Sequence, residues 1–367
     1  MQSGIIAIGT AVPKYKREQS GAAEVVATAL QLSAAEKRLL KSVYKSTGIE
    51  YRHSVIADFC KHPGEYEVFP NDTHLPFPTT ARRMQIYKDN ALQLALAAIN
   101  DCMQTASHFN QQTITHVITV SCTGMYAPGL DIEIVQKLNL NTNVQRTAIN
   151  FMGCYGAFNA IKAADAICKS SPSAVVLIVS VELCTIHFQK NDSIDNIISN
   201  AIFSDGAAAV LMQAGPQQKH FALKSFHCDL LIQHSKEMAW HIADSGFDIV
   251  LSSYVPQAIE SGIAKFVDRL LTQQAMTLAD IELFAIHPGG YKILKACEEV
   301  LSITEQDNCF SYDVLRKFGN MSSATVLFVL KAIWDAIDSK HNNQKIFSCA
   351  FGPGLTLESM LLQVNYS

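Results

Sequence analysis

Residues 150–181 read Asn150-Phe151-Met152-Gly153-Cys154-Tyr155-Gly156-Ala157-Phe158, then NAIKAADAICKSSPS, then AVVLIVSV. Three signals follow one another there. A glycine-punctuated turn leads into a helical apolar period over Ala157–Cys168, and a β-rich run of strand length follows over Ala174–Val181. Similar buried runs occur at His116–Cys122, Ala207–Met212, Leu283–His287 and Lys345–Phe351. Helical patterns stand between them at Ala91–Met103, Lys292–Leu301 and Ser323–Ile337, and Met1–Pro13 reads as a strand and turn. Alternating strands and helices predict an α/β protein with layered packing.

The wider composition fits a large core. At roughly 150 residues per domain, 367 residues make two fused halves or one large unit, and 49% apolar with 17% charged content excludes disorder. The net charge of −4 leaves no basic stripe for nucleic acid, and no apolar run approaches a bilayer span. The start of the chain shows no charged region before a long apolar one, so the default expectation is a soluble cytoplasmic protein. Ten scattered cysteines without CxxC spacing read as reduced thiols, and twelve histidines without HExxH or HxH predict no metal site. Walker and GxGxxG patterns are absent, so the chemistry must come from side chains.

A faint duplication runs through the spacing. One strand ends near Cys122 and a helix begins 32 positions later at Cys154; another strand ends at His287 and a helix begins 33 positions later near Asn320. A further buried strand starts 20 positions after Cys154 and 25 after Asn320. Two similar halves facing each other would bring strand ends and helix starts to a shared centre.

Three residues stand out at that centre. Cys154, between glycines at a helix start, sits where the helix dipole favours thiolate; the competing reading is a small core cysteine. His287 closes an apolar strand in Ala285-Ile286-His287-Pro288-Gly289-Gly290, leaving the imidazole at the strand's C-terminal edge. Asn320, in Phe318-Gly319-Asn320-Met321-Ser322-Ser323-Ala324, precedes an apolar helix as an N-cap would. Taken together they form a nucleophile with two donors.

GCYGAF at Cys154, NAIFSDGAAA from Asn200 to Ala209, IHPGG at His287, FGNMSSAT at Asn320 and AFGPG at Ala350–Gly354 together resemble the type III polyketide synthases, the chalcone synthase-like family. The motifs stand in family order from Lys45 to Gly354. The resemblance implies a thiolase-like fold, two similar α/β halves in a five-layer α-β-α-β-α arrangement, working as a homodimer. Residues 1–215 would carry the nucleophilic cysteine and residues 216–367 the histidine and asparagine.

Carried over by motif, the resemblance makes Cys154 the acceptor of the starter acyl group, and His287 and Asn320 donors to the malonyl-CoA thioester carbonyl, with His287 also paired to Cys154. The substrates would be coenzyme A thioesters, an acyl-CoA starter and malonyl-CoA, with no separate cofactor. Phe203 matches the aromatic gatekeeper, and Arg38, Lys41 and Lys45, on one helix face, match the phosphate-binding positions; a solvated face is the competing reading. Trp240 stands where plant enzymes have glycine, and bacterial members are more similar there. Cys122, Thr123, Cys184, His187, Ile249, Ser322, Gly352 and Pro353 are the remaining expected substrate-binding positions, His187 reading equally as a satisfied core histidine. The implied reaction is iterative decarboxylative condensation, ending in a pyrone, resorcinol or phloroglucinol. The alternatives are a ketoacyl-acyl carrier protein synthase III-like enzyme and a catalytically silent thiolase-fold binding protein. A papain-like hydrolase has the wrong residue order.

Overall fold

The structure, a computed structural model, describes residues 2–62, 64–72, 74–106, 109–189 and 193–366. Met1, part of the predicted first strand, lies outside them. The strands are β1 Ser3–Ala11, β2 Tyr15–Glu18, β3 Tyr51–Ser54, β4 His116–Ser121, β5 Gln145–Asn150, β6 Val175–Leu183, β7 Asp205–Ala214, β8 His220–Leu230, β9 Met238–Ala243, β10 Gly246–Leu251, β11 Leu283–Ile286, β12 Lys345–Gly352 and β13 Thr356–Asn365. The α-helices are α1 Gln19–Ala29, α2 Ala34–Ser46, α3 Thr80–Thr105, α4 Leu130–Lys137, α5 Gly156–Ser170, α6 Ile194–Ile202, α7 Val255–Thr272, α8 Tyr291–Leu301, α9 Cys309–Phe318 and α10 Thr325–Ala336.

Nine of these strands are joined in the order β11-β12-β13-β8-β1-β7-β6-β4-β5 among the described residues. The order contains a repeat. On one side β4 and β6 are parallel, β7 is antiparallel to β6, and β1 follows antiparallel. On the other, β11 and β12 are parallel, β13 is antiparallel to β12, and β8 follows antiparallel. The two sides meet through β1 and β8 at only Gly4↔Ala222 and Ile5↔Phe221.

Strand alternation builds the layers. Because successive side chains point to opposite faces, Ile118, Ile178 and Val210 join one core cluster while Val117, Leu177 and Leu211 join another, with α3. On the second side Ile346 and Ala350 meet that first cluster, whereas Phe347 and Cys349 pack with α7 and α8. The shared cluster holds α5 and α10 between the two sheets, so the layers run α-β-α-β-α as expected. Val326–Leu330 of α10 are at most 4% exposed, apolar around the whole helix circumference, as a central helix must be. Each such Val, Leu or Phe contributes about 1.5–3 kcal/mol of burial.

β9 and β10 stand apart as a two-stranded hairpin. No helix among the described residues is long and apolar enough to cross a membrane.

Candidate active site

The Cys154 loop joins β5 to α5. α5 begins at Gly156, two residues later than the spacing predicts, so Cys154 precedes the N-cap Tyr155. Gly153 has a φ of +82°, and a Cβ there would lie 2.3 Å from Pro353 Cδ, so both backbone geometry and crowding require glycine. Gly153 also donates its N–H to Cys122 Sγ at 2.9 Å, and its carbonyl holds the Gly156 N–H at 3.0 Å. The turn that presents the thiol is thus clamped from β4 and from the end of β12.

His287 follows β11, where its N–H still bonds the Cys349 carbonyl at 2.8 Å before Pro288 ends the ladder. The imidazole is 1% exposed, and neither ring nitrogen has a hydrogen-bond partner in the structure. The expected pairing of His287 with Cys154 is therefore not formed. Asn320 sits on the loop before α10, but Ala324 occupies the N-cap position. Asn320 Nδ2 donates to Gly289 O at 3.1 Å, and its Oδ1 accepts from Ser322 N at 2.8 Å and Thr325 Oγ1 at 3.3 Å. Its backbone pairs with the Phe203 segment, Asn320 N to Ile202 O and Ser204 N to Asn320 O, each 2.9 Å. One side chain and one bridge thus tie the His287 turn, the Asn320 loop and Phe203 together.

Cys154, His287 and Asn320 line one cavity. Cys122, Thr123, Cys184, Phe203, Trp240, Ile249, Ser322 and Pro353 line it too, and its accessible wall is almost entirely apolar. That dryness governs the charges. Burial pushes the Cys154 thiol up to about 12, against hydrogen bonds from Ser322 and Asn320 that pull it down, and the Glu182 charge adds to the rise. Burial alone holds the His287 imidazole down to about 3. Burial therefore favours the neutral form of each group, and the resting thiolate expected from the helix start is opposed by desolvation.

His187 is not among the cavity's lining residues. Its Nε2 meets the Thr123 carbonyl at 2.7 Å, its Nδ1 accepts the Phe247 N–H at 3.0 Å, and its ring stacks on Phe247 at 4.2 Å. It is the satisfied core histidine, pinning the β9–β10 hairpin, and burial lowers it to about 3. It lines a side pocket that shares Cys184, Phe203, Trp240 and Ile249 with the main cavity. Trp240, held by its Nε1–H to Cys122 O at 3.1 Å, stands between the two. Gly352 does not line the cavity either; a Cβ there would lie 2.5 Å from the Tyr155 ring.

The predicted phosphate-binding face does not converge on this site. Lys41 and Lys45 border a hollow that also carries Glu18, Glu24 and Glu50, and Lys41 is ion-paired with Glu24. Arg38 is exposed and borders neither. A different hollow shares Leu251, Gly289 and Ile293 with the catalytic cavity and opens past Val43, Ser46, Tyr291 and Lys292. Lys292 was not selected from the sequence, although it lies two residues beyond the Pro288-Gly289-Gly290 turn.

Glu182 was also missed. It is fully buried and accepts the Cys122 N–H at 3.0 Å and the Thr123 hydroxyl at 2.8 Å, with a further short bond from Ser323. Burial raises its pKa against those donors. A lone carboxylate in the apolar run VVLIVSVEL was the available signal.

A repeated α/β core in five layers, with a cavity at the meeting of its halves, defines a thiolase-like condensing-enzyme fold. The structure matches the C-terminal type III polyketide synthase domain of Steely1, a type I/III hybrid from Dictyostelium, with a TM-score of 0.91, 28% identity and 99% of each chain covered. PKS-I from the brown alga Ectocarpus siliculosus matches with a TM-score of 0.90 and 28% identity over 99% of this chain and 98% of that one. The alpha-pyrone synthesis polyketide synthase-like Pks18 of Mycobacterium tuberculosis is 30% identical over 363 residues, 97% of this chain and 90% of the relative. The N-terminal domain description of chalcone and stilbene synthases matches residues 2–216, and the C-terminal one residues 222–365. The chain belongs to the chalcone and stilbene synthase family and is a type III polyketide synthase, an acyltransferase-type condensing enzyme. The family works on acyl-CoA and malonyl-CoA thioesters.

Proposed function

We propose that the protein extends an acyl-CoA starter with malonyl-CoA on Cys154. The sulfur attacks the starter thioester and the coenzyme A thiol leaves. Malonyl-CoA then loses carbon dioxide, and the enolate oxygen that forms is met by His287 and Asn320, donors set in a water-poor chamber. The enolate carbon attacks the Cys154 thioester, freeing the sulfur to take up the extended chain. The observation that carries this reading is the convergence of Cys154, His287 and Asn320, from three distant segments, on one apolar cavity. Residues 1–215 and 216–367 act as two fused halves in this reading, and the repeated strand order supports that.

The relative named for alpha-pyrone synthesis favours lactonisation to a pyrone over aldol or Claisen closure. The hollow carrying Lys292 is the proposed entry for coenzyme A thioesters, because it shares three wall residues with the cavity. A homodimer is supported by β5, an edge strand that among the described residues is paired only with β4 and is exposed along most of its length. Ten free cysteines, six of them buried, favour a reducing compartment, the cytoplasm.

The test is incubation of the purified protein with malonyl-CoA and a panel of acyl-CoA starters, followed by mass spectrometry. Carrier-free product and an acyl adduct on Cys154 are expected, both lost in Cys154→Ala. A strict requirement for malonyl-carrier protein would favour the synthase III-like alternative, and neither product nor adduct would leave the silent binding protein.

A further inference from the structure

Cys122 was expected to be a wall residue, but each of its polar groups is engaged on a different element. Its N–H donates to the Glu182 carboxylate of β6, 3.0 Å from the nearer oxygen. Its carbonyl accepts the Trp240 Nε1–H of β9 at 3.1 Å. Its sulfur accepts the Gly153 N–H at 2.9 Å and donates to the Gly153 carbonyl at 3.4 Å. The residue is 3% exposed, so water does not compete for these groups.

The contact with Gly153 bears most directly on chemistry. Gly153 holds a φ of +82° and immediately precedes Cys154. Pro353 crowds the turn from one side, and Cys122 Sγ is the one partner of the Gly153 N–H among the described residues. Without that acceptor a buried N–H would stand unpaired, and the turn would relax to find another. The Glu182 bond anchors Cys122 to the sheet, and the Trp240 bond hangs part of the cavity wall from the same residue.

We propose that Cys122 is a positioning residue: its sulfur fixes the turn that presents Cys154, and its carbonyl ties that turn to the Trp240 wall. The inference rests on the reading of Cys154 as nucleophile. It goes beyond that reading by making acyl loading depend on the Trp240 N–H, which is spent on Cys122. A small displacement of the turn takes the sulfur off its line of attack on the thioester carbonyl, and rate falls steeply with such misplacement.

The measurement is the single-turnover rate constant for acyl transfer from a saturating acyl-CoA, read on the Cys154 peptide by mass spectrometry. The rate constant does not depend on how much of a variant folds, whereas the amplitude does. Cys122→Ala deletes the acceptor and should slow acylation about tenfold. Cys122→Ser keeps an acceptor and should restore most of the rate. Trp240→Phe removes only the N–H to Cys122 and should slow acylation several-fold. In the Cys122→Ala background it should add nothing, as expected when both act through one junction. A Cys122→Ala rate constant equal to the parent's, with only the amplitude lowered, would assign Cys122 to folding and overturn the proposal. Independent, additive effects of Cys122→Ala and Trp240→Phe would overturn it too. A parent that takes no acyl group on Cys154 would instead sink the nucleophile reading on which it rests.

Discussion

In the proposed reaction Trp240 is the residue expected to set product size. Its indole separates the main cavity from the side pocket bordered by His187, and its Nε1–H anchors it to the Cys122 carbonyl. Trp240→Gly removes the partition and joins the two spaces. The expected outcome is a product ladder lengthened by one or more two-carbon units, or acceptance of a bulkier starter, measured by mass spectrometry. An unchanged ladder would dismiss Trp240 as the wall. The three converging residues were legible in the sequence because each sits in a local punctuation of glycine and proline that stops a strand or starts a helix. Glu182 and Lys292 were not, since a single charge in a strand or on a helix start has no local pattern of its own. His187 could be resolved only by its partners: the Thr123 carbonyl and the Phe247 N–H arrive from other elements.

At the scale of elements, α8 borders the hollow proposed as the substrate's entry. The hollow contiguous with the cavity runs past its first turn, where Lys292 stands and where no acidic residue opposes an anion. Lys292→Ala should raise the KM for malonyl-CoA several-fold while leaving turnover of the N-acetylcysteamine thioester, which has no phosphates, unchanged. Lys41→Ala, on the other hollow, should alter neither. Equal loss with both thioesters would remove Lys292 from phosphate binding. The buried strands were readable in the sequence because β-branched runs of strand length leave little choice; Lys345–Phe351 was off by one residue at its end. The hairpin β9–β10 was not, because EMAWHIADSGFDIV mixes exposed and buried positions and gains its place only through His187 and Trp240. The start of α5 moved because Gly153 takes a left-handed turn that delays helical geometry until after the cysteine.

For the whole molecule, the nine-stranded arrangement ends on β5, which among the described residues pairs along one edge with β4 and is exposed along most of its length. A second copy pairing there across a twofold axis would cover the edge. Light scattering across the micromolar range should therefore report two chains per particle, and a monomer throughout would reject the dimer. The duplication was visible as near-equal spacing, 32 and 33 positions, and the structure gives it physical form in the repeated order of β4-β6-β7-β1 and β11-β12-β13-β8. Composition could not say that, among the described residues, the sheets of the two halves pair at only two positions, with α5, α10 and the Phe203–Asn320 bridge adding to the union.

Gly153 rests against Pro353, two hundred positions later. During synthesis Cys154 leaves the ribosome long before the segment that braces its turn, and Asn320 also arrives late. A nascent chain that has not yet passed Pro353 therefore holds Cys154 without the proline ring that crowds its turn.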